Sequence, residues 1–306
     1  MTRLVVLGDV MVDVVCRLDG PIALGSDAPA RIEFGYGGSA ANVAAWAARA
    51  SAGGAPALAG RIGADERGRA AEAELRAAGV DTRLAVDPER PTGTCVVLVG
   101  PDGERSMIPD PGANDRLAEA DLPDELLVAG THLHLTGYSL LRDGSRPAAR
   151  SAIARARERG ISVSVDPSSA ALLSPAFLDE LAGVGLLLPN AVEAAVLSGE
   201  GDAERAAIAL AARVPEVVVT LGAGGALWTD GREVCRAAVA DAPAVEGGSD
   251  EEGGAAGAAL DTTGAGDAFA AGFLVARLSG AEPEAALRSG CRLAGLAVRT
   301  PGARPV

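Results

Sequence analysis

The stretch Asp261-Thr-Thr-Gly-Ala-Gly-Asp-Ala-Phe-Ala-Ala-Gly-Phe273 decides how the rest of the sequence is interpreted. Residues 264–266 carry almost no side chain, so their backbone amides can face a ligand directly. The residues that follow are apolar and predict a helix over 263–280, whose N-terminal amides and positive dipole end would point at the same place. An anion such as a phosphate group is therefore the expected occupant of this turn.

Asp267 stands beside this expected anion site, where a carboxylate is electrostatically unfavourable unless it has a task. Removing the proton of an attacking hydroxyl group is such a task, so the pattern predicts Asp267 as a general base. The structural alternative is a glycine-rich turn in which Asp267 only interacts with the helix dipole. The full stretch 261–273 is more specific than a glycine-rich turn alone, and it favours the catalytic interpretation.

From about residue 130 the sequence alternates between short apolar runs and helical segments. This alternation is typical of a mainly parallel sheet with helices on both faces, in which ligands bind beyond the carboxyl ends of the strands. Strands are predicted at 131–135, 162–166, 186–189 and 217–221, and helices at 145–159, 190–198, 202–213, 263–280 and 283–298. Polar residues stand at the expected strand ends, at Gly8-Asp9, Asp166, Asn190, 220–225 and 261–267.

The first part of the chain contains three segments that do not alternate with helices, at 12–18, 30–34 and 94–108. Pro101-Asp102-Gly103 predicts a hairpin turn within the last of them. These segments predict a small sheet separate from the main one. The same part of the chain predicts a buried strand at 4–8 and helices at 39–52 and 65–78.

The string around Asp267 resembles the second signature of the PfkB family of carbohydrate kinases. Three further motifs resemble this family: Gly37-Gly38-Ser39-Ala40-Ala41-Asn42 its first signature, Asn190-Ala-Val-Glu193 its NxxE motif, and Thr220-Leu-Gly-Ala-Gly-Gly225 its nucleotide loop. The resemblance extends over essentially the whole chain. It implies a single α/β domain over 1–306 with the three-layer ribokinase-like fold, a mainly parallel central sheet flanked by helices. A small β-sheet lid, formed by about 12–36 and 92–110, would be inserted in this core.

The resemblance implies an ATP-dependent kinase that phosphorylates a hydroxyl group of a sugar or a sugar-like molecule. Asp267 would be the general base, and the amides of Gly264, Ala265 and Gly266 would form the anion hole.

The same resemblance implies a nucleotide and metal site. Asn190 and Glu193 would hold Mg²⁺ through water, although a helix capping box is a structural alternative for this pair. Some members of the family bind a monovalent cation such as K⁺, for which Asp261 and Thr263 are the candidates here. The residues expected to line the nucleotide are Asn190, Glu193, Thr220, Gly222 and Gly225.

The acceptor is expected on the other side of Asp267. Residues implied to bind it are Asp13, Gly37, Gly38, Asn42 and Arg105. A charged residue in the apolar run 10–15 needs a partner, and ligand hydroxyl groups would provide one for Asp13. Arg105 would reach the site from the lid, and an exposed edge-strand charge is the structural alternative for it.

Several positions depart from better-defined subfamilies and leave the acceptor open. Met11, Ser39 and Thr136 replace the Asn, Lys and Glu of ribokinases. After Asp166-Pro167, residues 168–170 lack the Asn and Arg found in keto-deoxygluconate kinases. A sugar is the favoured acceptor and a nucleoside the alternative, for which Phe34, Tyr36 and Tyr138 are the candidate base-stacking residues. A non-catalytic ligand-binding homologue is the alternative outside enzymology.

Composition and motif spacing argue against several other classes of protein. Acidic side chains outnumber basic ones 41 to 27, for a net charge of −14, which argues against nucleic acid and anionic membrane surfaces as partners. The chain has no lysine, which excludes a Walker A loop and a Schiff-base mechanism. Phe269 stands where a dinucleotide-binding fingerprint requires Gly or Ala, which argues against a nicotinamide enzyme.

The expected setting of the protein is the cytoplasm. The apolar run at the N-terminus is too short for a secretory signal, and no apolar stretch is long enough to span a membrane. The four cysteines match no metal-binding spacing and predict reduced, buried thiols. Two further expectations are a mobile loop at 247–257, within an acidic Gly-rich insertion at 244–258, and a homodimer formed through the lid sheet.

Overall fold

The structure, a computed structural model, describes residues 2–51, 54–102, 104–239, 262–300 and 302–305. The loop expected at 247–257 and the residue Asp261 lie outside this described part of the chain.

The larger of two sheets is mainly parallel. Its strands are β1 (Arg3–Leu7), β4 (Ala57–Gly63), β5 (Asp81–Asp87), β8 (Thr131–Thr136), β9 (Ser162–Asp166), β10 (Leu186–Leu187), β11 (Glu216–Thr220), β12 (Ala226–Thr229) and β13 (Val234–Ala237). They lie in the order β13-β12-β11-β10-β9-β8-β1-β4-β5. All pairs from β11 to β5 are parallel, whereas β12 and β13 add antiparallel pairs at one edge.

Helices cover both faces of this sheet. One face carries α1 (Ser39–Ala50), α2 (Glu66–Ala77), α7 (Ala265–Leu278) and α8 (Pro283–Ala297), and the other carries α4 (Arg146–Glu158), α5 (Ala191–Ser198) and α6 (Ala203–Ala211). Side chains alternate along β1, because Val6 packs into the first core and Val5 and Leu7 pack into the second. The expected three-layer fold is confirmed.

Short helical segments occupy several connections. Helix α3 (Tyr138–Leu141) follows β8 directly, and 3₁₀ helices lie at Gly112–Arg116, Glu119–Asp121, Asp124–Leu126, Ala170–Leu172, Pro175–Leu181 and Gly222–Gly224.

The second sheet is the expected small one. Its strands β2 (Met11–Leu18), β3 (Ala30–Gly37), β6 (Gly93–Val99) and β7 (Arg105–Asp110) lie in the order β3-β2-β6-β7. One face buries Met11, Cys95, Val97 and Val99. The opposite face leaves Ile32, Phe34 and Ile108 exposed, so this sheet, the lid, keeps an open apolar surface.

Two features differ from the sequence-based expectation. The parallel strands β4 and β5 and the edge strands β12 and β13 were not foreseen. Strand β4 was missed because Gly60 weakens its strand pattern. This glycine is required, since a Cβ there would lie 2.5 Å from the carbonyl oxygen of Gly8. The four cysteines are free, as expected, but Cys16 and Cys235 are only half-buried because they lie on the lid and on the edge strand β13.

Candidate active site

A cleft with a volume of about 300 Å³ opens between the carboxyl ends of the parallel strands and the lid. Polar residues at or just beyond the carboxyl ends of β1, β9, β10 and β11 meet in it, as the pattern of polar strand ends predicted: Asp9, Asp166, Asn190 and Thr220. The lid contributes Asp13, Cys95, Met107 and Pro109 to the opposite wall.

Asp267 lies in the first turn of α7 and faces this cleft. The hydroxyl of Ser39 donates to its Oδ1 at 2.6 Å, and the amide nitrogen of Asn42 donates to its Oδ2 at 2.8 Å. Burial raises the pKa of Asp267 to about 6, against the lowering effect of these two hydrogen bonds and of Arg304. The nearby charge of Asp9 adds to the increase of this pKa. A carboxylate in such an environment accepts a proton more readily than an exposed one.

Asp9 organises the side of the cleft where the acceptor is expected, called the acceptor side below, and sequence reasoning assigned no such role to it. Its side chain is buried, and its Oδ1 accepts a hydrogen bond from the hydroxyl of Thr136 at 3.0 Å. Its Oδ2 accepts the backbone amide of Ser39 at 3.2 Å. Asp9 therefore fixes the N-terminus of α1, from which both hydrogen bonds to Asp267 originate. Its place at the end of β1 was the only sequence signal for it.

The turn before α7 has the shape that the glycine motif predicts. Gly264 is the N-cap with a φ of 75°, and a Cβ on it would lie 2.4 Å from the carbonyl oxygen of Ala303. A Cβ on Gly266 would meet open space, and both glycines line the cleft, whereas Ala265 does not. The amide of Ala265 donates to the carbonyl oxygen of Thr262 at 3.3 Å. The first turn of a helix leaves its other amides without acceptors inside the helix, and Gly266 lies beside Asp267 in this turn.

Asn190 and Glu193 form the capping box that was the structural alternative. The Asn190 side chain accepts the amides of Val192 and Glu193, at 2.9 and 3.0 Å, and Glu193 Oε2 accepts the amide of Asn190 at 2.9 Å. Both residues nevertheless line the cleft. The cap and a metal role are compatible here, since both side chains face the cleft while they cap the helix.

Asp166 lies opposite Glu193, and sequence reasoning gave it no role. Burial raises the pKa of Asp166, and the charges of Glu193 and Asp267 raise it further. Burial also raises the pKa of Glu193. Two buried carboxylic acids with raised pKa values in one cleft fit a hard cation such as Mg²⁺, whose charge favours their ionised forms. Within the described residues, no three His, Cys, Asp or Glu side chains are grouped so that they could hold a metal ion.

The loop after β11 is only partly in the cleft. Thr220 lines it, but Gly222 and Gly225 do not. Gly222 has a φ of 58° and open space around it, as a nucleotide-facing turn requires. Gly225 has a packing reason to be glycine, because a Cβ there would lie 2.0 Å from the carbonyl oxygen of Ala237 in the β12–β13 hairpin. Contact of either glycine with a nucleotide stays a prediction.

On the acceptor side, Asp13, Gly38 and Asn42 line the cleft. Gly37 does not line it, but it makes room for Asp13, since a Cβ on Gly37 would lie 2.3 Å from Asp13 Oδ2. Gly38 has a φ of 93°, and a Cβ on it would lie 2.6 Å from the carbonyl oxygen of Asp9. Both glycines therefore let β3 and α1 approach the two aspartates closely.

Arg105 does not line the cleft. Its Nη1 donates to the hydroxyl groups of Thr262 and Thr263, at 3.1 and 2.7 Å. This arginine thus joins the lid to the turn before α7. The monovalent-cation site at Asp261 and Thr263 stays a prediction: Asp261 lies outside the described residues, and the hydroxyl of Thr263 already faces a positive charge.

Arg304 is buried beneath the acceptor side, and sequence reasoning missed it. Its Nε donates to Asn42 Oδ1 at 3.1 Å, and its other nitrogens donate to the carbonyl oxygen of Gly37 and to Glu74. These contacts orient the Asn42 amide with its oxygen towards Arg304 and its nitrogen towards Asp267. Contacts between residues so distant in sequence leave no local pattern by which they could be found.

Comparison with known proteins agrees with this geometry. A family model described as "pfkB family carbohydrate kinase" matches residues 1–306. An ATP-dependent ribose-1-phosphate kinase of Halopiger xanaduensis is 33% identical over 309 residues, covering 99% of this chain and 94% of that protein.

Solved structures show the same fold. The adenosine kinase of Sinorhizobium meliloti is 27% identical, with a TM-score of 0.86 and coverage of 100% of this chain and 96% of that chain. The ribokinase of Arabidopsis thaliana, solved with ribose and ATP, is 26% identical, with a TM-score of 0.78 and coverage of 99% and 94%. The chain belongs to the pfkB family of carbohydrate kinases.

Within the described part of the chain, no helix is both long and apolar enough to cross a membrane.

Proposed function

We propose that the protein transfers the γ-phosphoryl group of ATP to a hydroxyl group of a sugar, with Asp267 as the general base. The observation that carries this proposal is the position of Asp267 in the first turn of α7. There the carboxylate lies beside helix amides, and its pKa is raised to about 6 by burial. ATP as the donor is supported by the names of the relatives, an ATP-dependent kinase and a ribokinase solved with ATP.

The reaction balances with these groups. The acceptor oxygen forms a bond to the γ-phosphorus, the bond from that phosphorus to the bridging oxygen breaks, and ADP leaves. The hydroxyl proton passes to Asp267. The amides of Gly264, Ala265 and Gly266 hold the charge on the transferring group, because phosphoryl transfer depends mainly on positioning and charge stabilisation.

Mg²⁺ belongs to this proposal. It would neutralise phosphate charge that a chain without lysine cannot neutralise with ammonium groups. Glu193, Asn190 and Asp166 would hold it through water, which their place in the cleft and the raised pKa values of the two carboxylic acids support. Thr220 and Gly222 would line the nucleotide phosphates. A role for K⁺ is proposed only through Asp261 and the backbone near Thr263.

A sugar is favoured over a nucleoside as the acceptor. Phe34 is 69% exposed on the open face of the lid, and Tyr36 packs beneath the guanidinium of Arg304. Of the three aromatic candidates for stacking a base, only Tyr138 lines the cleft. Asp13 and Asn42 offer hydrogen-bonding groups to hydroxyls instead. We place the reaction in the cytoplasm, with which four free thiols are compatible.

The test is the Asp267→Asn variant in a coupled ADP-release assay over pentoses, hexoses, sugar acids and nucleosides, with and without K⁺. Loss of the base lowers kcat by about 10²- to 10⁴-fold. Asp143→Asn is the matched control, because this carboxylate is 95% exposed and lies outside the cleft. Thermal melting of both variants reports on folding. An Asp267→Asn variant that keeps more than a few per cent of the wild-type turnover would disprove the assignment.

A further inference from the structure

Three arginines lie near the acceptor side of the cleft, and two of them are engaged by protein groups. Arg105 donates to the hydroxyls of Thr262 and Thr263. Arg304 is buried and donates to Asn42, Gly37 and Glu74. Neither guanidinium is therefore available to a ligand without breaking contacts that hold the site together.

Arg142 is the third arginine, and it differs from the other two. It is the one basic side chain that lines the cleft among the residues that the structure describes, and it makes no ion pair with any of them. Its guanidinium lies over the ring of Tyr138, with 5.2 Å from Cζ to the ring centroid. Stacking fixes the plane of a guanidinium and leaves the N–H groups at its edge free to donate.

The absence of an acidic partner is unusual in this cleft. Five carboxylates line it: Asp9, Asp13, Asp166, Glu193 and Asp267. In a chain with a net charge of −14, an arginine beside such a cleft would be expected to pair with one of them. Arg142 instead stays on Tyr138, outside ion-pair distance of all five, with its charge directed to the cleft rather than to a protein partner.

The topology places Arg142 on the acceptor side. It follows α3, which begins directly after β8, and β8 is the neighbour of β1, the strand that leads to Asp9 and the lid. The residues proposed for the nucleotide and Mg²⁺ lie further along the sheet, with Asp166 at the end of β9, Asn190 and Glu193 after β10, and Thr220 at the end of β11. Tyr138, beneath Arg142, is close enough to Asp9, Asp166 and Asp267 to feel their charges.

We propose that Arg142 is an anion subsite for the acceptor, which therefore carries a phosphate or carboxylate group in addition to the hydroxyl that is phosphorylated. This inference rests on the proposed function, since it concerns the second substrate of that reaction. A planar guanidinium with free edge N–H groups matches two oxygens of either anion. Such a contact also offsets the repulsion that an anionic sugar would meet from the surrounding carboxylates.

The experiment compares sugars that share a carbon skeleton and differ in one anionic group: ribose with ribose 1-phosphate, fructose with fructose 6-phosphate, and glucose with gluconate. Kinetics with ATP and Mg²⁺ are measured for the wild type, for Arg142→Met and for the control Arg150→Met. Arg150 pairs with Glu180 and lies outside the cleft. Binding of the same sugars without nucleotide is measured by calorimetry.

The wild type is expected to prefer the anionic member of at least one pair, both in kcat/KM and in binding. In Arg142→Met, the KM for that sugar rises by about 10- to 100-fold, the range expected for losing a charge-assisted contact. The KM for ATP and the kinetics on the neutral sugar stay at wild-type values, and Arg150→Met changes none of these quantities.

Equal use of both members of every pair, or no preference in binding, would overturn the proposal. An Arg142→Met variant with a raised KM for ATP and an unchanged KM for the acceptor would also overturn it and assign Arg142 to the γ-phosphoryl group. A preserved binding preference without turnover would support the subsite and count against the proposed reaction. Turnover of neutral sugars alone would support the reaction and overturn the subsite.

Discussion

At the scale of single residues, the surroundings of Asp267 set the pKa of the proposed base. Burial raises its pKa, the hydrogen bonds from Ser39 and Asn42 lower it, the charge of Asp9 raises it, and Arg304 lowers it. A pKa of about 6 keeps the carboxylate ionised at neutral pH and makes it a better proton acceptor than an exposed aspartate.

The first prediction concerns pH. As the proposed general base, Asp267 would accept a proton only when it is ionised, and burial raises its pKa to about 6. We therefore expect kcat/KM to be constant above this pH and to fall below it. The fall is roughly tenfold per pH unit when one group controls the rate. A pH profile between 4.5 and 8.5, measured at saturating ATP, checks this; an acid limb close to pH 4 would contradict the buried environment.

The second prediction concerns Ser39, whose hydroxyl donates to Asp267. Its hydroxyl stabilises the ionised form of Asp267, so Ser39→Ala is expected to raise the pKa of Asp267 and move the acid limb of kcat/KM to higher pH. Above that limb the variant keeps most of its activity, because Asn42 still holds the other carboxylate oxygen. Ser106→Ala, on an exposed lid strand, is the control. An unchanged acid limb would show that Ser39 does not act on the base.

At the scale of secondary-structure elements, the lid has two unlike faces. One contributes Asp13 to the cleft and buries its apolar residues, whereas the other exposes Ile32, Phe34 and Ile108. Neighbouring strands bring these three side chains, with Val14 and Val96 between them, onto one continuous surface. Exposed apolar surface of this kind is costly in water and is commonly covered by another protein surface.

The third prediction is that two copies of the chain cover this face for each other. The wild type is expected to sediment as a dimer, and Phe34→Asp to sediment as a monomer because it places a charge within this apolar surface. Val86→Asp is the matched control, since Val86 is 55% exposed but lies on β5, outside the lid. Sedimentation velocity checks the masses; a monomeric wild type would contradict the prediction.

The elements that the sequence predicted well are those with a local signal. Helices α4 to α8 begin and end within two residues of the expected positions, since their apolar spacing and capping residues are read along one short segment. The strands that were missed contain interruptions, such as Gly60 in β4, whose reason is contact with another strand.

In the candidate site too, residues in a continuous motif were predicted and residues that act through distant contacts were missed. Asp267 and the turn before α7 were found because one continuous motif contains them. Arg304 was missed because its contact with Asn42 joins positions 262 residues apart. Arg105 was expected at the acceptor but bonds to Thr262 and Thr263, since the pairing of lid strands that directs its side chain is a tertiary property.

At the scale of the whole molecule, residues 302–305 connect the lid, α1 and the turn before α7 beneath the cleft. The carbonyl oxygen of Ala303 accepts the indole N–H of Trp46 in α1 at 3.0 Å and also packs against Gly264. Arg304 then joins the lid root at Gly37 to α1 and α2. Residues 302–305 therefore fix the relative positions of the lid, of α1 and of α7. Helix α1 donates the hydrogen bonds to Asp267, and α7 contains Asp267.

The fourth prediction tests this segment with Arg304→Met. Loss of the positive charge is expected to raise the pKa of Asp267 and move the acid limb to higher pH, because Arg304 lowers that pKa in the wild type. Stability is expected to fall by roughly 2 kcal/mol, the cost of losing hydrogen bonds from a charged group. Urea unfolding and a pH profile measure the two effects. Arg299→Met, at an exposed position, is the control and is expected to change neither the stability nor the acid limb. A lower stability of Arg304→Met with an unchanged acid limb would confine the role of Arg304 to stability.

The same segment has a consequence for the synthesis of the protein. A chain grows from its N-terminus, and domains begin to fold during translation. Here Asn42 is made early, but the guanidinium that orients its amide belongs to residue 304. A ribosome-bound chain that has not yet exposed this residue can form most of its sheet and helices, yet it lacks the contact that aligns the amide with the base. The alignment of the Asn42 amide with Asp267 is therefore completed late, after most of the sheet and helices have been made.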